Sequence, residues 1–392
     1  MTTRQETNNA GSQWQTTQRR STLLRDCWRL LRRINLVVWT IYAALVVLAF
    51  VLMRWLGEKN LFFGCAIYWP PMVWFLPAIV LAGTSVVLVD WKTFSANVIL
   101  CITLAVFGIG WKWPHEIDLQ KTNPGGNTEI TILTNNRGQN MGQSMKPFID
   151  AVQPDVMCFQ DSHGMKKRYL SDPGYAAYPF VAEVGEFSVV SKLPILSSEL
   201  ISQTPLPPSG LPEDQNWRPV IAAKFRIDAG GWVFVLYNVH TFTPRGTLRY
   251  NMRGALFYGI LGVSGTSWAE KRRLGEAAWH QRIDQLKDLL ASAAEETEPV
   301  ILAGDFNMPQ LGYLHGVVAE QFPDSHEEAG GGFGFTFPGS TEGPLSLLSL
   351  DGAWMRLDYV FFDRTNWRCE WSCAEPDRAS QHRALVARLV LD

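Results

Sequence analysis

Ile34 to Met53 is a run of twenty residues without a charge, the length an α-helix needs to cross the hydrocarbon core of a bilayer. No other feature limits the fold as strongly, because a helix apolar all round must be covered by protein or by lipid. Leu61 to Val89 is a second uncharged run, broken by Pro70, Pro71 and Pro77, with its spanning part expected at about residues 67–89. Phe94 to Gly110 is a third, seventeen residues long and at the short end of the spanning range. Buried helices of a soluble protein are the competing reading, and three such runs in close succession argue against it. A cleaved signal peptide fits poorly, since the first run is too long and the apolar pattern continues after it. Residues 34–111 are therefore expected to hold about three transmembrane helices, at 34–53, 67–89 and 94–110.

Orientation follows from the arginines. Arg19, Arg20, Arg25, Arg29, Arg32 and Arg33 precede the first run, and the positive-inside rule keeps that end in the cytoplasm. Residues 1–33 form a basic cytoplasmic segment, whose Thr/Gln/Asn-rich first twenty residues are expected to be disordered. The Asp90–Lys92 turn returns to the inside. Three spans then place Trp111 onward outside the cytoplasm, with Trp111 and Trp113 at the interface where indoles gather. A re-entrant middle run would reverse that side. The expectation is a multi-pass protein of the cell membrane, its N-terminus cytoplasmic and its C-terminal domain extracytoplasmic, with the lipid bilayer as one partner.

Charge divides along the same line. Residues 1–111 carry ten Lys/Arg against four Asp/Glu, a net +6, so residues 112–392 hold −8 of a chain whose net charge is −2. An acidic domain repels phosphate backbones unless a basic groove or bound cations intervene, which argues against nonspecific DNA binding. Cys27, Cys65 and Cys101 lie in or beside the apolar region, and Cys158 in a strand that reads as buried. Cys369 and Cys373 stand four apart in another strand, on one face but too far apart to bridge, so free thiols are expected. No zinc-type ligand spacing occurs.

After a linker at 112–127, residues 128–392 alternate short β-branched and aromatic runs with helical stretches. Strands are expected at 129–135, 155–160, 187–191, 219–226, 232–240, 299–304, 357–362 and 384–391. Helices are expected at 144–153 and 269–295, the latter from the spacing of Leu274, Ala278, Ile283, Leu286 and Leu290. This pattern suggests two packed sheets flanked by helices. Several strand ends carry polar residues that a core would not choose. Asn135-Asn136 ends one run, Gln160-Asp161 a second, Asn238-Val239-His240 a third and Gly304-Asp305-Phe306-Asn307 a fourth. Arg356-Leu357-Asp358 opens a late strand, and Ser380-Gln381-His382-Arg383 precedes the last.

With these motifs in this order, residues 128–392 resemble the endonuclease/exonuclease/phosphatase superfamily, Gly304-Asp305-Phe306-Asn307 being the most specific element. Gly331 to Pro338 and Arg356-Leu357-Asp358-Tyr359-Val360 are similar to a bacterial membrane-tethered subgroup. The resemblance implies a four-layered α/β sandwich and metal-dependent hydrolysis of phosphoesters, with Mg²⁺ or Mn²⁺ as cofactor. It places Asn136, Asp161 and Gln381 at metal-site positions and Asp305 where the attacking water is oriented or deprotonated. Asn307 matches the residue that fixes the phosphate. His240 and His382 match the histidines at the scissile phosphate, the second held by Asp358. Hard oxygen donors suit such a cation, and a carboxylate behind an imidazole fixes its tautomer. Plainer readings exist: Asp161 as a helix N-cap, Asn136-Arg137-Gly138 as a turn, the histidines as surface residues, Asp358 as a partner of Arg356.

Two positions depart from the family. Asp161 replaces a Glu, one methylene shorter, and Gln381 replaces the Asp of a Ser-Asp-His motif, which removes a negative charge. These feed a competing hypothesis of a weakened phosphate-binding or sensor domain. Within the hydrolase reading the substrate is a membrane-proximal phosphoester (a phospholipid headgroup or nucleotide), with extracellular nucleic acid as the alternative; no obligate protein partner is inferable. The lipid reading leans on residues 245–273, where Arg245, Arg249, Arg253, Lys271, Arg272 and Arg273 flank the apolar run starting at Ala255. Residues 201–216, rich in Pro and Ser, read equally as a substrate-facing loop or a linker.

Overall fold

The computed structural model describes residues 3–114, 117, 129–138, 144–201, 220–244, 247–248, 268–338, 352–376 and 381–392. The chain divides into two compact units, residues 1–50 with 72–107, and residues 51–71 with 108–392. Helices α1 (Thr3–Trp55), α2 (Leu61–Ala66), α3 (Met72–Val87) and α4 (Trp91–Thr103, continued by a π turn over Leu104–Gly108) come first. There follow β1 (Glu129–Asn136), α5 (Lys146–Val152), β2 (Val156–Gln160), α6 (Lys166–Ser171), β3 (Phe180–Val184), β4 (Phe187–Ser191), β5 (Ile195–Ile201), β6 (Ala222–Asp228) and β7 (Val233–His240). The remaining elements are α7 (Trp268–Ala294), β8 (Val300–Asp305), α8 (Tyr313–Gln321), α9 (Ser325–Ala329), β9 (Asp358–Phe362), β10 (Trp367–Ala374) and β11 (Leu385–Leu391).

The first unit exposes much apolar surface: Val37, Ile41, Leu45, Ile79, Val80, Val87, Ile99 and Phe107 point outward, while Val46, Phe50, Leu81 and Leu104 are buried. Its buried positions include Asn35, Ser85, Thr93 and Asn97. These polar groups bond between helices, Asn35 Nδ2 donating to Ser85 Oγ at 2.9 Å and Asn97 Nδ2 to the Ala78 carbonyl at 2.7 Å. Among the described residues, two helices, Thr22–Trp55 and Trp91–Gly108, are long and apolar enough to cross a membrane, whereas α3 spans only Met72–Val87. The middle run thus becomes helical five residues later than expected, because Pro70 and Pro71 cannot sit inside its first turns. α1 is assigned from Thr3, and the side chains of residues 3–21, where the disordered start was expected, lie outside the described ones.

The second unit is a four-layered sandwich, as the motif order implies. One sheet runs β10-β11-β1-β2-β4-β3 and the other β5-β6-β7-β8-β9. Alternate residues of both sheets meet in the middle: Ile130 and Ile132, Val156 and Cys158, Phe234 and Leu236, Ile301 and Ala303, Val360 and Phe362, Leu385 and Ala387. The outer face of the five-stranded sheet is covered by α7 and α8, through Ile283, Leu286, Leu290, Leu314 and Val318. The outer face of the six-stranded sheet is covered by α5 and α6, through Ile149, Val152 and Tyr169. All eight expected strands and both expected helices are present within a few residues. Among the described residues, β3, β5 and β10, all at sheet edges, are additional to those eight, β10 being the strand that carries Cys369 and Cys373. The six cysteines are free, Cys158 and Cys369 buried. Most of residues 112–127, 201–216 and 245–273, and Ser380, lie outside the described residues.

Candidate active site

The inward alternation that fills the sandwich also builds the site. Ile130-Ile132-Thr134-Asn136, Phe234-Leu236-Asn238-His240 and Ile301-Ala303-Asp305 each lie two residues apart along a strand, so the face that is apolar in mid-sheet turns polar at one end. Register then aligns those ends. β7 and β8 run parallel with His240 beside Asp305, and β9 runs antiparallel to β8 with Asp358 on the other side of Asp305. In the facing sheet, parallel β1 and β2 set Asn136 beside Gln160, one residue before Asp161. Just below, Gln160 Nε2 donates to Asn238 Oδ1 at 2.7 Å and to Thr134 Oγ1 at 3.0 Å, a polar bridge between the sheets.

Backbone geometry at two of these residues is unusual. Asp161 and Asn307 have φ of 51° and 47°, the left-handed region that side-chain-bearing residues rarely adopt and that clusters at functional sites. Gly304 is obligatory for a different reason: a Cβ there would lie 1.9 Å from the Val239 carbonyl oxygen of the neighbouring strand.

Asp305 is the centre of the arrangement. Its Oδ2 accepts from Asn136 Nδ2 at 2.9 Å and stands 3.7 Å from Nε2 of both His240 and His382. Its Oδ1 accepts from the Asn307 backbone N–H at 2.9 Å, while Asn307 Nδ2 donates to the Thr241 carbonyl. Each imidazole has a carboxylate behind it. Asp358 Oδ2 lies 2.9 Å from His382 Nδ1, and Glu186 Oε1 lies 3.4 Å from His240 Nδ1. Burial alone would lower the His382 pKa, but Asp358 and Asp305 outweigh it and raise the imidazole to about 9. Thr336 Oγ1 accepts from the backbone N–H groups of Leu357 and Asp358, fixing the start of β9, and the Phe337 ring packs on His382.

Seven of the eight expected site residues converge here: Asn136, Asp161, His240, Asp305, Asn307, Asp358 and His382. Gln381 is half-buried and adjoins His382 in the chain. The plainer readings separate cleanly. Asp161 caps no helix, since α6 starts at Lys166 with Met165 as its N-cap. Asn136 does make the turn, its Oδ1 accepting from Gly138 N–H at 2.8 Å, while its other amide atom serves Asp305. Arg356 pairs with Asp324 at 2.8 Å rather than with Asp358. Glu186 and Thr336 are the contributors that motif reading did not assign.

A phosphate could not enter this cluster unaided, because Asp161, Glu186, Asp305 and Asp358 together outnumber the two imidazoles. The ligand atoms of Asp161, Glu186 and His240 all lie within 4.8 Å of one another. Space is left beside them: a Cβ on Gly138 would fall 2.6 Å from Asp161 Oδ2 and 3.0 Å from Asn136 Oδ1, so both oxygens border one gap that only glycine leaves open. Two carboxylates and an amide oxygen are the donors a hard divalent cation prefers, and the residues fit such an ion.

The endonuclease/exonuclease/phosphatase family model matches residues 135–382. No curated protein matches the chain significantly. Among solved structures, an endonuclease/exonuclease/phosphatase from Bacteroides vulgatus is 17% identical, with 68% of this chain and 100% of that one covered and a TM-score of 0.46. Sphingomyelinase C from Streptomyces griseocarneus is 17% identical over 66% of this chain and 99% of that one, with a TM-score of 0.42. A humanized D. rerio TDP2 is 14% identical over 67% and 99%, with a TM-score of 0.43. With a family model spanning every residue from Asn135 to His382, the chain belongs to the endonuclease/exonuclease/phosphatase family.

Proposed function

We propose that the chain is a membrane-anchored phosphoester hydrolase working with a divalent cation, Mg²⁺ or Mn²⁺. The observation that carries this is one carboxylate oxygen, Asp305 Oδ2, facing two carboxylate-backed imidazoles at 3.7 Å each. Asp305 accepts a proton or hydrogen bond from the attacking water. His382, kept charged by Asp358, donates from Nε2 to a phosphate oxygen, and His240 approaches from the opposite side. Asn307 Nδ2 has a second N–H for the phosphate, since only one is used by Thr241. A cation held by Asp161, Glu186 and Asn136 supplies positive charge to the nonbridging oxygens when bound. Gln381 offers only a neutral amide where relatives carry Asp, which favours weak metal binding and a slow enzyme; a retired, phosphate-binding site is the second reading.

The exposed apolar surface of the first unit supports anchoring, since lipid-facing apolar surface and interhelical polar bonds are what a bilayer selects. Residues 51–71 and 108–392 form one unit, so both lie on the same side of any bilayer. The arginines from Arg19 to Arg33 before α1 favour an extracytoplasmic catalytic unit, with three spans between. A membrane-proximal phosphoester is the substrate class this placement favours. The test is the full chain in nanodiscs, offered phospholipid vesicles, nucleotides or single-stranded DNA with Mg²⁺, with Asp305→Ala as blank. Turnover of DNA at rates above the lipid would reverse the substrate assignment, and no difference from Asp305→Ala on any substrate would refute the hydrolase.

A further inference from the structure

The stretch between the first two apolar helices is part of the catalytic unit, and it touches the active site through one backbone carbonyl. Tyr68 Oη donates to the carbonyl of Asn307 at 2.6 Å. Arg282 of α7 donates to the same carbonyl through Nη2 at 2.8 Å and to the Tyr68 oxygen through Nη1 at 3.0 Å. The Tyr68 ring stacks on Trp279 with centroids 6.0 Å apart and planes 23° from parallel. Gly64 lies against the same indole, where a Cβ would come within 3.0 Å of Cε2.

The rest of the stretch is fixed nearby. Glu58 is fully buried, and its Oε2 accepts from Leu314 N–H in the first turn of α8, an end that favours negative charge. A Cβ on Gly312 would sit 2.6 Å from Glu58 Oε1. Arg54 Nη1 donates to the carbonyls of Gln310 and Gly312. Residues 54, 58 and 68 therefore hold the chain from Asn307 to Leu314 at several points.

Asn307 needs such support. Its left-handed backbone does not arise by default, and anchoring its carbonyl fixes the peptide plane adjoining the Cα from which its side chain branches. We infer that Tyr68 is a positioning residue for the reaction: with Arg282 it holds the Asn307 carbonyl and so aims the amide that fixes the phosphate. The stretch from Arg54 to Tyr68, within the catalytic unit, thereby supports the active site. The inference rests on the hydrolase reading for its kinetic consequence, not for its structural one.

The experiment compares Tyr68→Phe with wild type as full chains in nanodiscs. The variant keeps the ring on Trp279 and loses only the hydroxyl. Turnover of a chromogenic phosphodiester and amide hydrogen exchange over residues 305–310 are both read, with thermal unfolding as control. We expect kcat to fall about tenfold or more, KM to change little, exchange over 305–310 to quicken and Tm to stay close to wild type. Arg282→Lys, which keeps one donor, is expected to lose less than Tyr68→Phe. Unchanged kcat in Tyr68→Phe, or a fall matched by a lowered Tm, overturns the positioning role. If the wild type turns over nothing, the hydrolase reading has failed and exchange alone decides: quickened exchange upholds the clamp, and unchanged exchange overturns it.

Discussion

Replacing Asp358 by Asn keeps shape and hydrogen-bonding capacity behind His382 but removes the charge. The consequence can be worked from the site. His382 is almost fully buried and has its pKa raised from 6.5 to about 9 by Asp358 and Asp305 against the pull of burial. That gap is worth about 3 kcal/mol of preference for the imidazolium. At pH 7 the wild type is therefore almost wholly protonated at His382. In Asp358→Asn the nearest remaining carboxylate is Asp305, 3.7 Å from Nε2, and with the larger of the two raising charges gone the lowering by burial is less opposed, so the pKa falls. The amide can also stabilise the wrong tautomer, because it both donates and accepts. Loss of a positioned proton donor typically costs roughly 10²–10⁴ in rate, so kcat at pH 7 should fall at least ~100-fold, with partial recovery on acidification. Histidine side-chain NMR titration together with a pH–rate profile measures both quantities. A His382 still titrating near 9 in the variant, or a rate within about threefold of wild type, would refute the reasoning.

The same pair makes stability depend on pH. A folded-state pKa raised above the unfolded value contributes stability fully present below about 6.5 and lost as pH rises through about 9, here about 3 kcal/mol. Thermal unfolding in EDTA should show Tm falling across that window in wild type, and a much flatter profile in Asp358→Asn. Gly304→Ala places a methyl 1.9 Å from the Val239 carbonyl oxygen, backbone against backbone in a central parallel pair. It should cost about 3 kcal/mol, and an unfolding midpoint equal to wild type would contradict the register described for β7 and β8. Gln381→Asp adds a carboxylate next to His382 and, if position 381 adjoins the proposed cation, should tighten Mn²⁺ binding by at least about tenfold in calorimetry. Unchanged affinity would remove Gln381 from the metal site.

Much of the cluster was legible because the polar residues that form it end strands whose other inward positions are apolar. Apolar alternation identified β1, β7 and β8, and polar residues continuing that alternation at Asn136, His240 and Asp305 were anomalous for a core. What escaped was structure whose sequence has a sufficient ordinary explanation. β3 and β5 lie at sheet edges, and Ser197, Ser198 and Glu199 of β5 face solvent, so no apolar run marks that strand. Gly185-Glu186 joins β3 to β4 as a two-residue hairpin, with Val184 opposite Phe187 and Gly185 at φ 61°. A Gly-X turn explains that dipeptide locally, and nothing local says that Glu186 meets His240 from another sheet. Residues 51–71 were read as the gap between spans and the start of the second one. Their attachment to the sandwich depends on partners more than two hundred residues away, Arg282 and Asn307, which no periodicity reveals.

The most direct measurement is hydrolysis of a chromogenic phosphodiester by the purified full chain with Mg²⁺ or Mn²⁺, beside EDTA and beside Asp305→Ala. A working hydrolase gives turnover that EDTA abolishes and added metal restores, and that Asp305→Ala reduces to background. Turnover indifferent to EDTA, or equal in Asp305→Ala, would contradict it.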